Sequence, residues 1–292
     1  MKRIAILGCE NSHADFFLKF IKENKEFSDV EVVGIYSDER ESAEKLRDEF
    51  GVPVMDDYAD AVGKIDGLII TARHGDNHYK YAKPYIDSGI PMFVDKPITV
   101  SESDVTEFMA ALKEKGIRVS GGSSLKQDIY VQKARQEALN NEGGKTIGGY
   151  VRAPYNADNE YGGFYFYSQH LVEMICEIFG RFPKTVNAYK NGGQIHVLFR
   201  YDDFDCVGLL CDLNFVYYVS RMTEEGVSSY LIPNDEHVVD WFYSEFKEFY
   251  DLVGGAAQPL AYDEFASPVF ILNAIERSLK SGKEEPVGRL TL

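Results

Sequence analysis

The chain has 292 residues, 31 Lys and Arg against 47 Asp and Glu, and a formal charge of −16. That length holds two ordinary domains, and 45% hydrophobic residues supports a sizeable core. Residues 1–122 carry 16 basic and 23 acidic side chains and residues 123–292 carry 15 and 24, so the acid excess is not a tail. It argues against nucleic acid and anionic membrane surfaces as partners, because both are polyanions.

Residues 4–7 form an apolar run that reads as a strand and is too short for a signal segment or a membrane span. Ser12 and Asp15 then make a capping pair, and Phe16, Phe17, Phe20 and Ile21 follow at helical spacing. Residues 30–36 read as a second strand. Asp38 and Glu41 open another helix, with Ala43, Leu46 and Phe50 on one face and Gly51 as its stop. Residues 68–71 form a third strand, a helix runs from about His78 to Ser88, and residues 92–94 form a fourth strand. Val105, Phe108, Met109 and Leu112 mark one more helix before a strand at 117–120. Such alternation implies right-handed βαβ units and a parallel sheet, whose ligands sit at the carboxyl ends of the strands. Those ends are residues 8–13, 37–40, 71–78, 95–97 and 121–126.

After residue 125 the pattern changes. A helix at 129–139, a strand near 147–152 and a helix around 169–179 precede strand-like runs at 186–189, 195–201, 207–215 and 216–222. Val207, Leu209, Cys211, Leu213 and Phe215 share one side, with Asp212 and Asn214 opposite, which predicts a one-faced, mainly antiparallel sheet. Helices at 236–253 and 264–281 close the chain. The expected fold class is α/β: an N-terminal Rossmann parallel sheet over 1–122, then an α+β domain over 123–292 with a large open sheet. The short boundary predicts two domains docked across a cleft.

The four cysteines, Cys9, Cys176, Cys206 and Cys211, include no C-x-x-C pair, so neither a zinc ribbon nor a redox dithiol is signalled. A reduced, cytoplasmic protein is expected. The loop Gly8-Cys9-Glu10-Asn11-Ser12-His13 stands where a G-x-G-x-x-G fingerprint would, but Glu10 and His13 replace two of its glycines. Alone it reads as a nucleotide site or as an ordinary strand-to-helix turn. A helix N-terminus there offers N–H groups to an anion, with Asn11 and Ser12 as added donors. At the end of the second strand, Ser37 with Arg40 suits a ribose 2′-phosphate, whereas Asp38 suits a 2′-hydroxyl or a helix cap. Asp95-Lys96-Pro97 sets a lysine at the ligand edge, where its pKa can shift and it can pass a proton; the same tripeptide also suits a surface turn. His170 opens a helix carrying Glu173 and Glu177 and reads as a packed residue or a catalyst. It shares a helical face with Glu173, but no third ligand is evident, so no metal is expected. His196 and His237 read as structural.

Taken in order, the loop at Gly8, Asp95-Lys96-Pro97, Gly121-Gly122-Ser123-Ser124-Leu125-Lys126 and Gly162-Gly163 through His170 resemble the glucose–fructose oxidoreductase / inositol dehydrogenase / MocA (Gfo/Idh/MocA) family across essentially the whole chain. The resemblance implies a Rossmann domain binding NAD or NADP and a second domain whose open sheet carries substrate and oligomer contacts. Asp95-Lys96-Pro97 then stands for the family's E-K-P, and Lys96 and His170 inherit its catalytic roles. The implied cofactor residues are Gly8, Asn11 and Ser12 at the pyrophosphate, Ser37 and Asp38 at the adenosine ribose, and Thr71, His78, Asp95 and Lys96 along the strand ends. Lys126 stands for a boundary arginine. The chain departs from the family's D-x-G-x-H at Phe166 and Ser168, which removes a carboxylate. The expected function is hydride transfer between a nicotinamide and a hydroxyl or carbonyl carbon of a small sugar- or polyol-like substrate, in a homodimer or homotetramer. The alternative is a non-catalytic ligand-binding or scaffold member of the same fold.

Overall fold

Short, mostly apolar runs bury both side-chain faces and pair their backbones as strands of a parallel sheet, and five short strands build the first one. The computed structural model describes every residue except Leu213 and residues 234–236. Two expected features, the Leu213 member of the apolar stripe and the helix start at Glu236, lie outside the described residues. The chain divides into two compact units.

The first unit comprises Met1–Thr99, Ser103–Gly122 and Phe242–Tyr262. Its parallel sheet contains β1 (Lys2–Leu7), β2 (Val30–Tyr36), β3 (Gly67–Ile70), β4 (Met92–Asp95) and β5 (Val119–Gly122), in the order β2-β1-β3-β4-β5. The crossovers carry α1 (Ser12–Glu23), α2 (Arg40–Phe50), α3 (Asp76–Ala82) and α4 (Glu102–Glu114). Two helix starts differ from the sequence expectation. Asn11, not Ser12, is the N-cap of α1, and it makes no side-chain cap; α2 is preceded by Glu39 rather than capped by Asp38. The Asn11 side-chain amide donates to Asp95 instead, and Asp38 accepts from the nearby Tyr36 hydroxyl.

The second unit comprises Val100–Glu102, Ser123–Trp241 and Asp263–Leu292. It holds α5 (Ile129–Leu139), β6 (Thr146–Pro154), α6 (Phe164–Phe179), β7 (Thr185–Asn191), β8 (Gln194–Arg200), β9 (Asp205–Cys211), β10 (Tyr217–Thr223) and β11 (Val227–Ile232). Then follow α7 (Val238–Val253), α8 (Tyr262–Ser281) and the short β12 (Glu285–Pro286). The seven strands run β11-β10-β6-β9-β8-β7-β12; only β6 and β9 pair in parallel, so the sheet is mainly antiparallel. Most of α7 belongs to the first unit, so the division departs from a single cut at residue 122.

The phase of β9 is the reverse of the one its apolar stripe suggests. Cys206 and Leu210 are core residues, whereas Val207 is 37% exposed on the opposite face. Gly208 decides this: a Cβ there would come within 2.9 Å of both Leu171 on α6 and Phe199 on β8, so the strand turns its smallest residue to the helix. The outward face then carries Val207, Tyr189, Ile147, Met222, Val227 and Leu231, all exposed. Among the described residues no helix is long and apolar enough to cross a membrane.

Candidate functional site

In the first unit, the carboxyl ends of β1 to β4 bring a polar cluster together. Gly8 follows β1 with φ +78°, and a Cβ there would lie 2.2 Å from the Ala72 nitrogen, so only glycine lets the two loops meet. Thr71 Oγ1, fully buried, donates to the Gly8 carbonyl at 3.0 Å and ties the end of β3 to this loop.

Glu10 does not point along α1. Its carboxylate accepts from Ser37 Oγ at 2.6 Å and from the Arg73 backbone N–H at 3.0 Å, bridging the ends of β2 and β3. Ser12 remains exposed at the helix start. Asp38 turns away to the Tyr36 hydroxyl at 2.6 Å and to Lys80 at 3.6 Å. Burial opposes its ionisation, but the Tyr36 and Tyr81 hydroxyls and the Lys80 ammonium outweigh it and lower its pKa. Arg40 is held by Glu44, Asp56 and the Met55 carbonyl.

Asp95, at the end of β4, is fully buried. Its carboxylate accepts from Asn11 Nδ2 at 2.8 Å and from the Lys96 N–H at 2.6 Å. His13 lies between two acids, with Nδ1 3.3 Å from Asp95 and Nε2 3.3 Å from Glu245 on α7. Burial lowers the Lys96 pKa against the pull of Asp95 and Glu245, lowers that of His13, and raises that of Asp95. His78 is buried behind these groups; its Nε2 donates to the Ala72 carbonyl at 2.7 Å, and burial pushes its pKa down to about 4. It is therefore neutral at pH 7.

The second unit holds His170 well inside α6, which begins at Phe164, rather than at the opening of the helix; it is 8% exposed. Its Nδ1 is hydrogen-bonded to Ser123 Oγ at 2.6 Å. The rings of Tyr167 and Tyr217 flank it at 6.3 and 5.9 Å. Glu173 is used structurally: it accepts from the Ser123 N–H at 3.3 Å and pairs with Arg181 at 3.2 Å, and Arg181 also binds Glu177. Among the described residues no three His, Cys, Asp or Glu side chains gather as metal ligands.

Structure thus brings Gly8, Asn11, Ser37, Thr71, His78, Asp95 and Lys96 to one edge of the first unit, turns Asp38 aside, and sets His170 in the second. Sequence reasoning named His13 and Ser123 only as members of motifs, without a role, and passed over Glu245. For Glu245 a signal exists: it is a carboxylate inside the apolar stripe of Phe242, Phe246 and Phe249.

A family model described as an oxidoreductase family with an NAD-binding Rossmann fold matches residues 2–123. The uncharacterized oxidoreductase YhhX of Escherichia coli is 27% identical over 126 residues, 39% of this chain; the match spans only 35% of that relative. Among solved structures, a putative myo-inositol dehydrogenase from Sinorhizobium meliloti superposes with a TM-score of 0.84 at 14% identity, covering 99% of this chain and all of the other. The scyllo-inositol dehydrogenase of Lactobacillus casei, solved with NAD(H) and scyllo-inositol, gives 0.85 at 14% identity, covering 98% and 99%. At such identities these two likenesses speak for the fold. Residues 2–123 are thus similar to the NAD-binding Rossmann domain of the Gfo/Idh/MocA oxidoreductase family.

Proposed function

We propose that the protein is an NAD(P)-dependent oxidoreductase acting on a CH–OH group, or the corresponding carbonyl, of a small sugar- or polyol-like substrate. The observation that carries this reading is Lys96: a buried lysine at the carboxyl end of β4, within a matched Rossmann unit, facing the charges of Asp95 and Glu245. Such a lysine can change protonation at working pH, which an exposed one does not.

The residues fit a dinucleotide. Gly8 leaves the loop free of a side chain, α1 begins without a side-chain cap, and Glu10 is drawn off toward Ser37 and Arg73. The first-turn N–H groups of α1 would hold the pyrophosphate. Asn11 would act there through its backbone, because its side-chain amide is committed to Asp95. When bound, the nicotinamide supplies the hydride transfer. Lys96 Nζ gives or takes the proton of the substrate hydroxyl. Asp95 and Glu245 hold the countercharge, and Asn11 keeps Asp95 in place. His170, inherited from the family's motif, takes the orienting role, and Ser123 Oγ holds its ring.

Titration of the full chain with NADH and NADPH, followed by fluorescence and calorimetry, tests the reading; no binding of either at millimolar concentration would sink it. With a substrate found from a polyol, sugar and keto-acid panel, Lys96→Met should lower kcat by roughly 100- to 10,000-fold while cofactor affinity stays close to wild type. Full turnover by that variant would remove Lys96 from the chemistry.

Two further assignments belong here. A cytoplasmic location is supported by four cysteines that are all free and buried. A homodimer or homotetramer joined through the outward face of the second unit's sheet is supported by the apolar side chains exposed there.

A further inference from the structure

We infer that Glu10, rather than an acid at the end of β2, reads the adenosine ribose, and that it makes the chain select NAD over NADP. The inference rests on the dinucleotide reading above. A Rossmann unit that prefers NAD meets the ribose 2′-hydroxyl with a carboxylate at the end of its second strand. In this chain that place belongs to Ser37, which is buried, and its hydroxyl donates to Glu10 Oε2 at 2.6 Å while accepting from the Glu39 N–H at 3.0 Å. The carboxylate is thus delivered to the same strand end from the loop after β1.

Its position is fixed at both oxygens, one by Ser37 and the other by the Arg73 N–H at 3.0 Å. Each carboxylate oxygen carries two lone pairs, so each retains an acceptor site for a ribose hydroxyl. Glu10 is only partly buried, which leaves that capacity within reach. The replaced glycine is therefore the source of the acid that the strand end lacks.

The other charged groups argue the same way. Asp38 is held by the hydroxyls of Tyr36 and Tyr81 and by Lys80. Arg40, the cation that would suit a 2′-phosphate, is spent on Glu44, Asp56 and the Met55 carbonyl. Arg73 offers its backbone to Glu10, while its guanidinium acts on Lys96. A 2′-phosphate brought to Glu10 would meet a like charge, which penalises the wrong partner more strongly than a lost contact does.

The test is calorimetric titration of the full chain with NADH and NADPH, for wild type, Glu10→Gln, Glu10→Asp and Asp38→Asn, with thermal unfolding as a check on folding. Wild type should prefer NADH by at least about 30-fold, and Glu10→Gln should bring the two cofactors within about threefold, chiefly by improving NADPH. Glu10→Asp keeps the charge on a shorter arm: NADH binding weakens and discrimination against NADPH persists, a result readable even where the Gln variant folds poorly. Asp38→Asn should keep the wild-type preference. Equal wild-type affinities, or a preference lost in Asp38→Asn and kept in Glu10→Gln, overturn the inference while leaving the oxidoreductase reading intact. Failure of wild type to bind either cofactor overturns both.

Discussion

At the scale of single residues, the first unit concentrates buried ionisable groups: His13, His78, Asp95, Lys96 and Glu245 are all 8% exposed or less. Burial penalises whichever form is charged, so the titration of His13, His78, Asp95 and Lys96 couples to folding. For His78 the folded pKa is about 4 against an ordinary value of 6.5. The unfolded chain then binds the extra proton, and the stability that neutral His78 contributes is present above about pH 6.5 and lost as pH falls toward 4. The shift corresponds to about 3 kcal/mol. Asp95, whose folded pKa is raised, contributes the opposite slope above the usual carboxylate range. His78→Gln should therefore be flatter than wild type between pH 6.5 and 4.5 when urea unfolding free energies are compared; parallel curves would show that His78 does not titrate on unfolding.

At the scale of elements, α7 is the instructive case. Its apolar stripe was legible in the sequence, but the stripe says only that one face is buried and not against what. Phe246 meets Phe17 of α1 at 5.2 Å and Phe27 at 4.8 Å, so residues distant in sequence complete the core of the first unit. The same docking brings Glu245 to His13. Phe246→Ala should cost about 3–5 kcal/mol, and hydrogen exchange should show the amides of β1 and α1 losing protection together. Loss confined to α7 would mean that the helix is peripheral to that unit. Other elements were read less well for local reasons. The helix expected around 169–179 in fact starts at Phe164, because the aromatic run before it gives no helical period to recognise. The strand β11 is interrupted by Ser228 and Ser229, lies at the sheet edge and exposes Val227 and Leu231, so its pattern does not mark a buried face.

At the scale of the whole molecule, the acid excess disfavours polyanionic partners through a diffuse field that salt screens beyond about 8 Å. It does not oppose an anionic dinucleotide, which is held by contacts at hydrogen-bond range. The outward sheet face of the second unit is the larger-scale feature with a consequence for assembly. If oligomers form through it, Val207→Asp should convert a dimer or tetramer to monomer in size-exclusion chromatography with light scattering, with the melting temperature of each unit little changed. An oligomer of unaltered mass would place the interface elsewhere.

The sequence by itself determined the alternation of strands and helices, the parallel first sheet, the mainly antiparallel second sheet and the strand ends where chemistry-bearing residues collect. These depend on periodicity and on local breakers, which any short window of chain contains. Which side chains meet was decided only by tertiary structure. Glu10 and Ser37 are 27 positions apart, and Asn11 and Asp95 are 84 apart. The face that β9 buries was settled by how closely α6 approaches Gly208. Contacts of that kind depend on packing in three dimensions, and no local pattern encodes them.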